Sequence, residues 1–418
     1  MLNKIILVAL VMVIGSSCQV FAAGYRIPEQ SLNSTALSSA YIANANGPDA
    51  AYYNPANMSW AGDGWDTEFD VSLINLPSIE YENDPTSPNV GTPYFASDGS
   101  TEEEYFALPT FFTVSPAFHN FRFGFAVVSP AGLAKRWDDP YQKGFAQESS
   151  MTVIEANPSL SYKLNEMFSA ALGARFLYSM ATLKSDNVAF IRDMDGDATE
   201  YGYNVALTFK PVKELSLAAT YRSEIELDMK GDVKLIDNYS TYPTPITYRG
   251  DGSVTIPIPA VLTLAAAYTV DKATFEFTYE RSYWSIYDEL DFEYPSALPS
   301  DNLTAYFDDP ITKNWDDVDA YKFGLTYAWS SKLALMAGGG IYGNPVPEAT
   351  ISFDLPDSDS WFASLGFRYK HSEKLSYGAA YLHAEKDDRT ATSADFSIDG
   401  TFSGAASNLL AFSLTYLF

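Results

Sequence analysis

The sequence predicts an all-β fold: a transmembrane antiparallel β-barrel of about 14 strands, with an N-terminal hatch (plug) domain inside the lumen. Three observations carry that expectation. Apolar and polar residues alternate with period two along segment after segment. The apolar parity is unusually aromatic, in a 418-residue chain with 29 Tyr, 27 Phe and 7 Trp. Short and long connections alternate between the segments, as periplasmic turns and outer loops should.

The alternation is plainest at the carboxy terminus. Leu410, Phe412, Leu414, Tyr416 and Phe418 share one parity, and Ala411, Ser413 and Thr415 the other. The same pattern recurs in Tyr201–Phe209, Leu217–Met229, Phe275–Tyr279, Tyr321–Trp329 and Trp361–Tyr369. Successive side chains of a strand leave opposite faces, so period two means strand. A soluble sandwich also alternates, but it fills its buried face mainly with Leu, Ile and Val. An aromatic face fits the interfacial girdles of an outer-membrane barrel.

In chain order, residues 1–22 read as a secretory signal. Lys4 supplies the charge, Ile5 to Ile14 the apolar core, and Val20-Phe21-Ala22 the cleavage site. The core is too short to span a bilayer as a helix. Residues 23–65 do not alternate, are rich in Ala, Asn, Ser and Gly, and contain Asn54-Pro55-Ala56. A segment of that composition is either disordered or folded inside the barrel as a hatch, and residues 66–418 form the expected barrel. Strands are expected over 66–80, 103–117, 120–131, 149–164, 167–186, 198–211, 214–233, 254–270, 272–294, 314–330, 332–345, 358–371, 374–388 and 405–418. An even count keeps both termini on the periplasmic side. Two places break the strand rules: Ser129-Pro130-Ala131-Gly132 ends the third strand, and Asn157-Pro158 lies inside the fourth. Proline cannot donate to a ladder, so each marks a kink, bulge or gap.

Charge and composition narrow the function. Losing Lys4 with the signal takes the net charge from −27 to −28, which argues against nucleic acid as a partner. Acids cluster in expected loops, as at Glu102-Glu103-Glu104 and Asp387-Asp388, where they read as solvated surface near lipopolysaccharide. The single cysteine, Cys18, lies in the signal, so the mature chain has no thiol chemistry. His119, His371 and His383 have no metal-ligand spacing. Asp193-Met194-Asp195-Gly196-Asp197 hints at a calcium loop, but its glycine is misplaced and Asn204 stands at position twelve, so it reads as an exposed acidic turn. Neither a phosphate loop nor a nucleophile elbow is present. No catalysis, cofactor or metal is expected.

An ordered set of motifs resembles one family. Ala23-Gly24-Tyr25-Arg26-Ile27-Pro28-Glu29-Gln30 and Asn54-Pro55-Ala56 are followed by Ser129-Pro130-Ala131-Gly132-Leu133, Asn157-Pro158, Tyr221-Arg222-Ser223, Trp284-Ser285-Ile286-Tyr287, Lys313-Asn314-Trp315 and Leu355-Pro356-Asp357. Together they are similar to the FadL family of long-chain fatty acid and hydrocarbon transporters. That resemblance implies a plugged fourteen-stranded barrel working as a monomer. Hydrophobic cargo would be captured outside, move to an inner pocket, and leave sideways near the kinked third strand after the N-terminal segment shifts. The gate would then comprise Asn54, Pro55 and Ala56 in the hatch and Ser129, Pro130 and Gly132 at the kink.

Candidate cargo contacts follow from residue type. Leu133, Trp137, Tyr141 and Phe145 recur every four residues, as along one side of a short helix at an outer capture groove. A carboxylate in an apolar lumen needs a base, and Arg175, Arg222, Lys322, Arg368 and Lys370 have lumen parity, free either to bind cargo or to pair with lumen acids. The resemblance also implies a base soon after the fifth-strand tyrosine. Tyr178 is instead followed by Ser179, Met180, Ala181 and Thr182 before Lys184, which favours a neutral hydrocarbon. The expected function is passive uptake of hydrophobic molecules. The alternative is a surface adhesin or phage receptor, for which a hatch has no use.

Overall fold

The structure is a computed structural model that describes residues 24–86, 97–241, 244–393 and 398–418. The signal expected over 1–22 lies outside the described residues. No helix among them is long and apolar enough to cross a membrane, so crossing falls to strands.

The wall is one antiparallel sheet of fourteen strands. They are β1 Asp66–Leu76, β2 Glu104–Val114, β3 in two pieces (Phe121–Val128 and Gly132–Arg136), β4 Glu148–Lys163, β5 Phe168–Asp186, β6 Phe190–Val212 and β7 in two pieces (Leu215–Arg222 and Ile225–Asp237). Then come β8 in two pieces (Ile246–Ile258 and Val261–Val270), β9 Ala273–Ser282, β10 Val318–Ala328, β11 Leu333–Tyr342, β12 Ser360–Lys370, β13 Leu375–Lys386 and β14 Ala406–Leu417. Pairing of β1 with both β2 and β14 closes the cylinder, from Asp66↔Leu417 to Asn75↔Asn408 at the seam. Closure leaves no free first or last strand, as a wall without water to satisfy its backbone requires.

Alternation becomes inside and outside. On β14, Leu410, Phe412, Leu414 and Tyr416 are exposed, whereas Leu409, Ala411, Ser413 and Thr415 are buried. The outward rings of Tyr203, Phe277, Phe323 and Trp361 belong to the same lipid-facing surface. The inward parity is small and polar because it packs on the hatch. Hatch residues 24–65 include helices α1 Leu32–Ala36 and α2 Ala50–Tyr53 and a 3-10 turn at Pro55–Trp60. Gly366 of β12 shows why bulk is absent: a Cβ there would lie 2.6 Å from the Cβ of Ala36. Polar anchors complete the fit. The Glu276 carboxylate of β9 accepts the backbone N–H groups of Ile42, Ala43 and Asn44 at 2.5, 2.8 and 2.9 Å.

Three expectations need correction. The acidic stretch around Asp193–Asp197 is not a turn; it lies within β6, paired with β5 on one side and β7 on the other. Asp193, Asp195 and Asp197 alternate with the buried Met194 and Ala198, so a genuine strand was hidden under a metal-loop spacing. The ninth strand stops at Ser282, because Trp284–Ile286 turns as a 3-10 segment that sends Trp284 inward. The outer piece of β3, Gly132–Arg136, carries Leu133 on a strand, and the helix α3 begins only at Pro140 and ends at Ala146. The four-residue spacing from Leu133 to Phe145 is therefore not one helical face.

The prolines act differently from one another. At Pro158 the β4–β5 ladder skips, and Asn157 Nδ2 supplies the missing donor to Ala174 O at 2.7 Å, so β4 runs on. At Pro130 the wall itself changes. The described β2–β3 ladder consists of four pairs, Phe111↔Val127 to Val114↔Gly124. Beyond it, Glu104–Thr110 pair with β1. At the far end the Arg136 guanidinium grips Glu104 through Nε at 2.6 Å and Nη2 at 2.8 Å. Between these limits lies a stretch of wall without a β2–β3 ladder.

Candidate functional site: an apolar cavity floored by the N-terminal segment

The outer halves of β4 to β8 and the inward-folded loops line a cavity that is partly open to solvent. Its walls are mainly apolar: Leu133, Met151, Leu183, Met194, Met229, Val233, Val254 and Ile256 from strands, and Tyr287, Leu290, Phe292 and Leu355 from loops. The unbranched methionine side chains adapt to ligands of varied shape.

The floor is Tyr25. Its ring is buried against Trp284 at 4.7 Å, Trp315 at 5.8 Å and Tyr287 at 6.3 Å between centroids, and its hydroxyl donates to Pro257 O. Gly24 precedes it with φ +65°, a conformation glycine adopts without strain, and a Cβ there would come 2.6 Å from the Trp284 ring. Its N–H donates to the buried Asp357 carboxylate at 3.1 Å. Arg26 pairs with Glu280 at 2.9 Å. The same segment covers the break in β3: Ile27 N–H donates to Pro130 O, and Gly132 N–H to Tyr25 O, both at 2.8 Å. One short segment thus separates the cavity from the unladdered stretch of wall.

A second cavity adjoins the first and shares Leu183, Leu290, Lys313 and Asp354 with it. Gly144, Phe145, Phe190, Tyr306, Phe307 and Phe353 line it, together with Arg192. Arg192 is half-buried with its guanidinium 5.7 Å from the ring centres of Phe292 and Phe307. Among the described residues it has no ion pair, and its Nε is buried without a hydrogen-bond partner. Lys313 Nζ lies 3.7 Å from Asp354. Burial alone would raise the Asp354 carboxyl, which lies in a loop outside the wall. The Lys313 ammonium and the Ser352 hydroxyl outweigh it and hold Asp354 below the usual carboxylate range.

The residues singled out from sequence fall into three groups. Leu133 lines the first cavity and Phe145 the second. Trp137 is fully buried, donates Nε1–H to Phe353 O at 2.9 Å, and clusters with Tyr141, Phe145 and Phe353 beneath α3. The lumen bases are engaged with acids. Arg175 and Arg222 share the buried Glu155, Lys322 pairs with Glu280 at 2.9 Å, and Arg368 pairs with Glu68 at 3.0 Å. Arg222 also stacks over Tyr52 of the hatch. Lys370 is exposed and pairs with Glu373. Asn54, Pro55 and Ala56 tie the hatch to the wall: Asn54 Nδ2 donates to Thr208 Oγ1, and Ala56 O accepts the hydroxyls of Ser161 and Ser169. Ser129, Pro130 and Gly132 meet the N-terminal segment. Sequence reasoning missed Arg192, which precedes the acidic stretch misread as a turn. It quoted Tyr25, Trp284 and Trp315 as motif residues, but period-two reading gave no sign that they converge.

Residues 13–418 match the family model described as outer membrane protein transport protein (OMPP1/FadL/TodX). The chain is 24% identical over 406 residues to a long-chain fatty acid transport protein of Salmonella typhi, covering 88% of this chain and 89% of that one. A Pseudomonas aeruginosa FadL homologue superposes with a TM-score of 0.79 at 22% identity, covering 95% of this chain and all of that one. The P. putida toluene transporter TodX gives 0.67 at 16% identity, covering 92% and 98%. At those identities the structural likeness speaks for the fold.

Proposed function

Because this chain belongs to the OMPP1/FadL/TodX family of outer-membrane transport proteins, we propose that it takes up long-chain hydrophobic molecules passively, with amphiphiles bearing a carboxylate as preferred cargo. The observation that carries this reading is the position of Tyr25, at once the floor of the apolar cavity and part of the segment covering the break in β3. Cargo enters between α3 and the loops, its chain fills the first cavity, and its head meets Arg192 and Lys313. Growing occupancy presses on Tyr25. When residues 24–27 shift, the cavity joins the unladdered stretch between β2 and β3, and the cargo leaves sideways into lipid. No energy source is required, since each methylene delivered to lipid contributes about 0.8 kcal/mol.

Arg192 favours a carboxylate over a neutral hydrocarbon. A half-buried guanidinium between two phenyl rings, with Nε unbonded and no salt bridge to Asp354, the acid whose charge reaches it, suits an anionic head better than an alkane. The corresponding S. typhi relative is named for long-chain fatty acids, and TodX for toluene.

The test is uptake of a labelled long-chain fatty acid and of toluene by a deletion strain, with and without this protein. Variants are Arg192→Leu and a chain lacking residues 23–30. Protein-dependent uptake of the fatty acid, weakened by Arg192→Leu while toluene is unaffected, is the expected result. If neither label depends on the protein, the transport reading fails, and a surface-receptor role replaces it.

A further inference from the structure

We propose that Gln30 is a positioning residue that couples the seat of the N-terminal segment to the break in β3; this rests on the lateral-release reading above. Gln30 is 1% exposed and spans the two banks of the unladdered stretch. Its C=O accepts the Thr110 hydroxyl of β2 at 2.7 Å, and its N–H donates to the Tyr53 hydroxyl of hatch helix α2 at 2.6 Å. Its side chain belongs to the β3 side: Oε1 accepts Ser129 N–H and Nε2 donates to Ser129 O, both at 2.8 Å. That reciprocal pair is what a neighbouring strand would offer residue 129. Pro130 follows and cannot donate, and beyond Ser129 the pairing passes to the N-terminal segment, where Ile27 N–H reaches Pro130 O and Gly132 N–H reaches Tyr25 O. The carboxamide therefore replaces one rung of ladder.

The second Nε2 hydrogen supplies the coupling. It goes to Ile27 O at 2.8 Å, inside the segment that carries Tyr25. An amide nitrogen has two hydrogens, and both are used. When residues 24–27 leave their seat, one buried donor loses its acceptor. Rotating the carboxamide to recover it gives up Ser129. Displacement of the segment and release of the β3 edge thus become one event rather than two.

The experiment uses the full mature chain in lipid nanodiscs, wild type and Gln30→Met, each with and without Tyr25→Ala. The first readout is hydrogen exchange at the Ser129 amide, which needs no cargo. Tyr25→Ala should raise that exchange in the wild-type background, and Gln30→Met should raise it about tenfold, for the loss of a buried reciprocal pair. Tyr25→Ala should add nothing further once Gln30 is methionine. The second readout is release of cis-parinaric acid, a fluorescent long-chain polyene acid, to empty vesicles, with the double variant no faster than the faster single. Multiplicative effects on exchange, or unchanged Ser129 exchange in Gln30→Met, overturn the proposal. Gln30→Asn, which keeps the amide but cannot reach both partners, serves if the methionine variant does not fold, and should move exchange in the same direction. Wild-type release no faster than from protein-free discs sinks transport alone, since the exchange cycle still decides the role of Gln30.

Discussion

Replacing Tyr25 by alanine should unseat the N-terminal segment without unfolding the barrel. The ring is 3% exposed and packed on Trp284, Trp315 and Tyr287, and its hydroxyl is bonded to Pro257 O. Emptying such an aromatic site costs about 3–5 kcal/mol in a closed core. Here the cost falls on occupancy of the seat, because Gly24 to Ile27 are held by a handful of bonds to Asp357, Glu280, Pro130 and Gly132, while the wall ladders run elsewhere. At about 1.4 kcal/mol per tenfold, the lower figure corresponds to roughly a hundredfold shift from seated to unseated. The assay is hydrogen exchange resolved by residue, in detergent micelles. Protection at the Ile27 and Gly132 amides should drop by about two orders of magnitude, within the limit set by the wild-type opening. Amides in the β1–β14 ladder, such as Phe412 opposite Val71, should be unchanged. A uniform loss across the wall would mean that Tyr25 supports the whole fold, and no change at Ile27 would mean that the ring does not hold the segment. Either outcome refutes the proposed gate.

Other outcomes follow from the same geometry. Arg192→Leu should lower affinity for a long-chain carboxylate about tenfold, by loss of a charge-assisted contact, and leave toluene binding unchanged, as read by tryptophan fluorescence titration. Asp354 titrates below its ordinary value of about 4, so its ion pair with Lys313 is fully present above that pH and disappears as pH falls through the depressed value. Asp354→Asn should therefore tighten binding of a carboxylate about threefold at neutral pH, by removing a competitor for Lys313; looser binding would show that Asp354 positions the lysine instead. Glu276→Ala should deprive the buried N–H groups of Ile42 and Ala43 and the half-buried one of Asn44 of their acceptor and cost the hatch about 3 kcal/mol, seen as proteolysis near residues 42–44 with the barrel intact. Gly366→Val should force α1 away from β12 and lower the thermal midpoint, and a wild-type midpoint would contradict the close approach of Ala36.

The sequence by itself determined the wall, and the reason is periodicity. Every strand of a plugged barrel separates lipid from packed lumen, so each carries the alternation that makes β14 legible, and the short turns must fall between the correct pairs. The break at Pro130 was legible too, because a proline inside a ladder removes a donor wherever the chain runs. Where a residue's role depended on what lies across the lumen, local pattern failed. Arg175, Arg222, Lys322 and Arg368 have the right parity for cargo contact or for pairing with lumen acids, and they pair, with Glu155, Glu280 and Glu68; parity alone does not name Glu155 or Glu68 as the partners. The four-residue rhythm from Leu133 to Phe145 crosses a strand, a bend and a helix. Arg192 stands out only because β6 runs past the expected loop and brings it between Phe292 and Phe307. Tyr25 and Gln30 sit in a segment with no periodicity at all. Their meaning comes from the place where that segment lies, across an interval in which β2 and β3 do not pair. Alternation is a property of neighbours along a chain, whereas a gate is a property of groups that closure of the barrel brings together, and tertiary structure alone decides which groups those are.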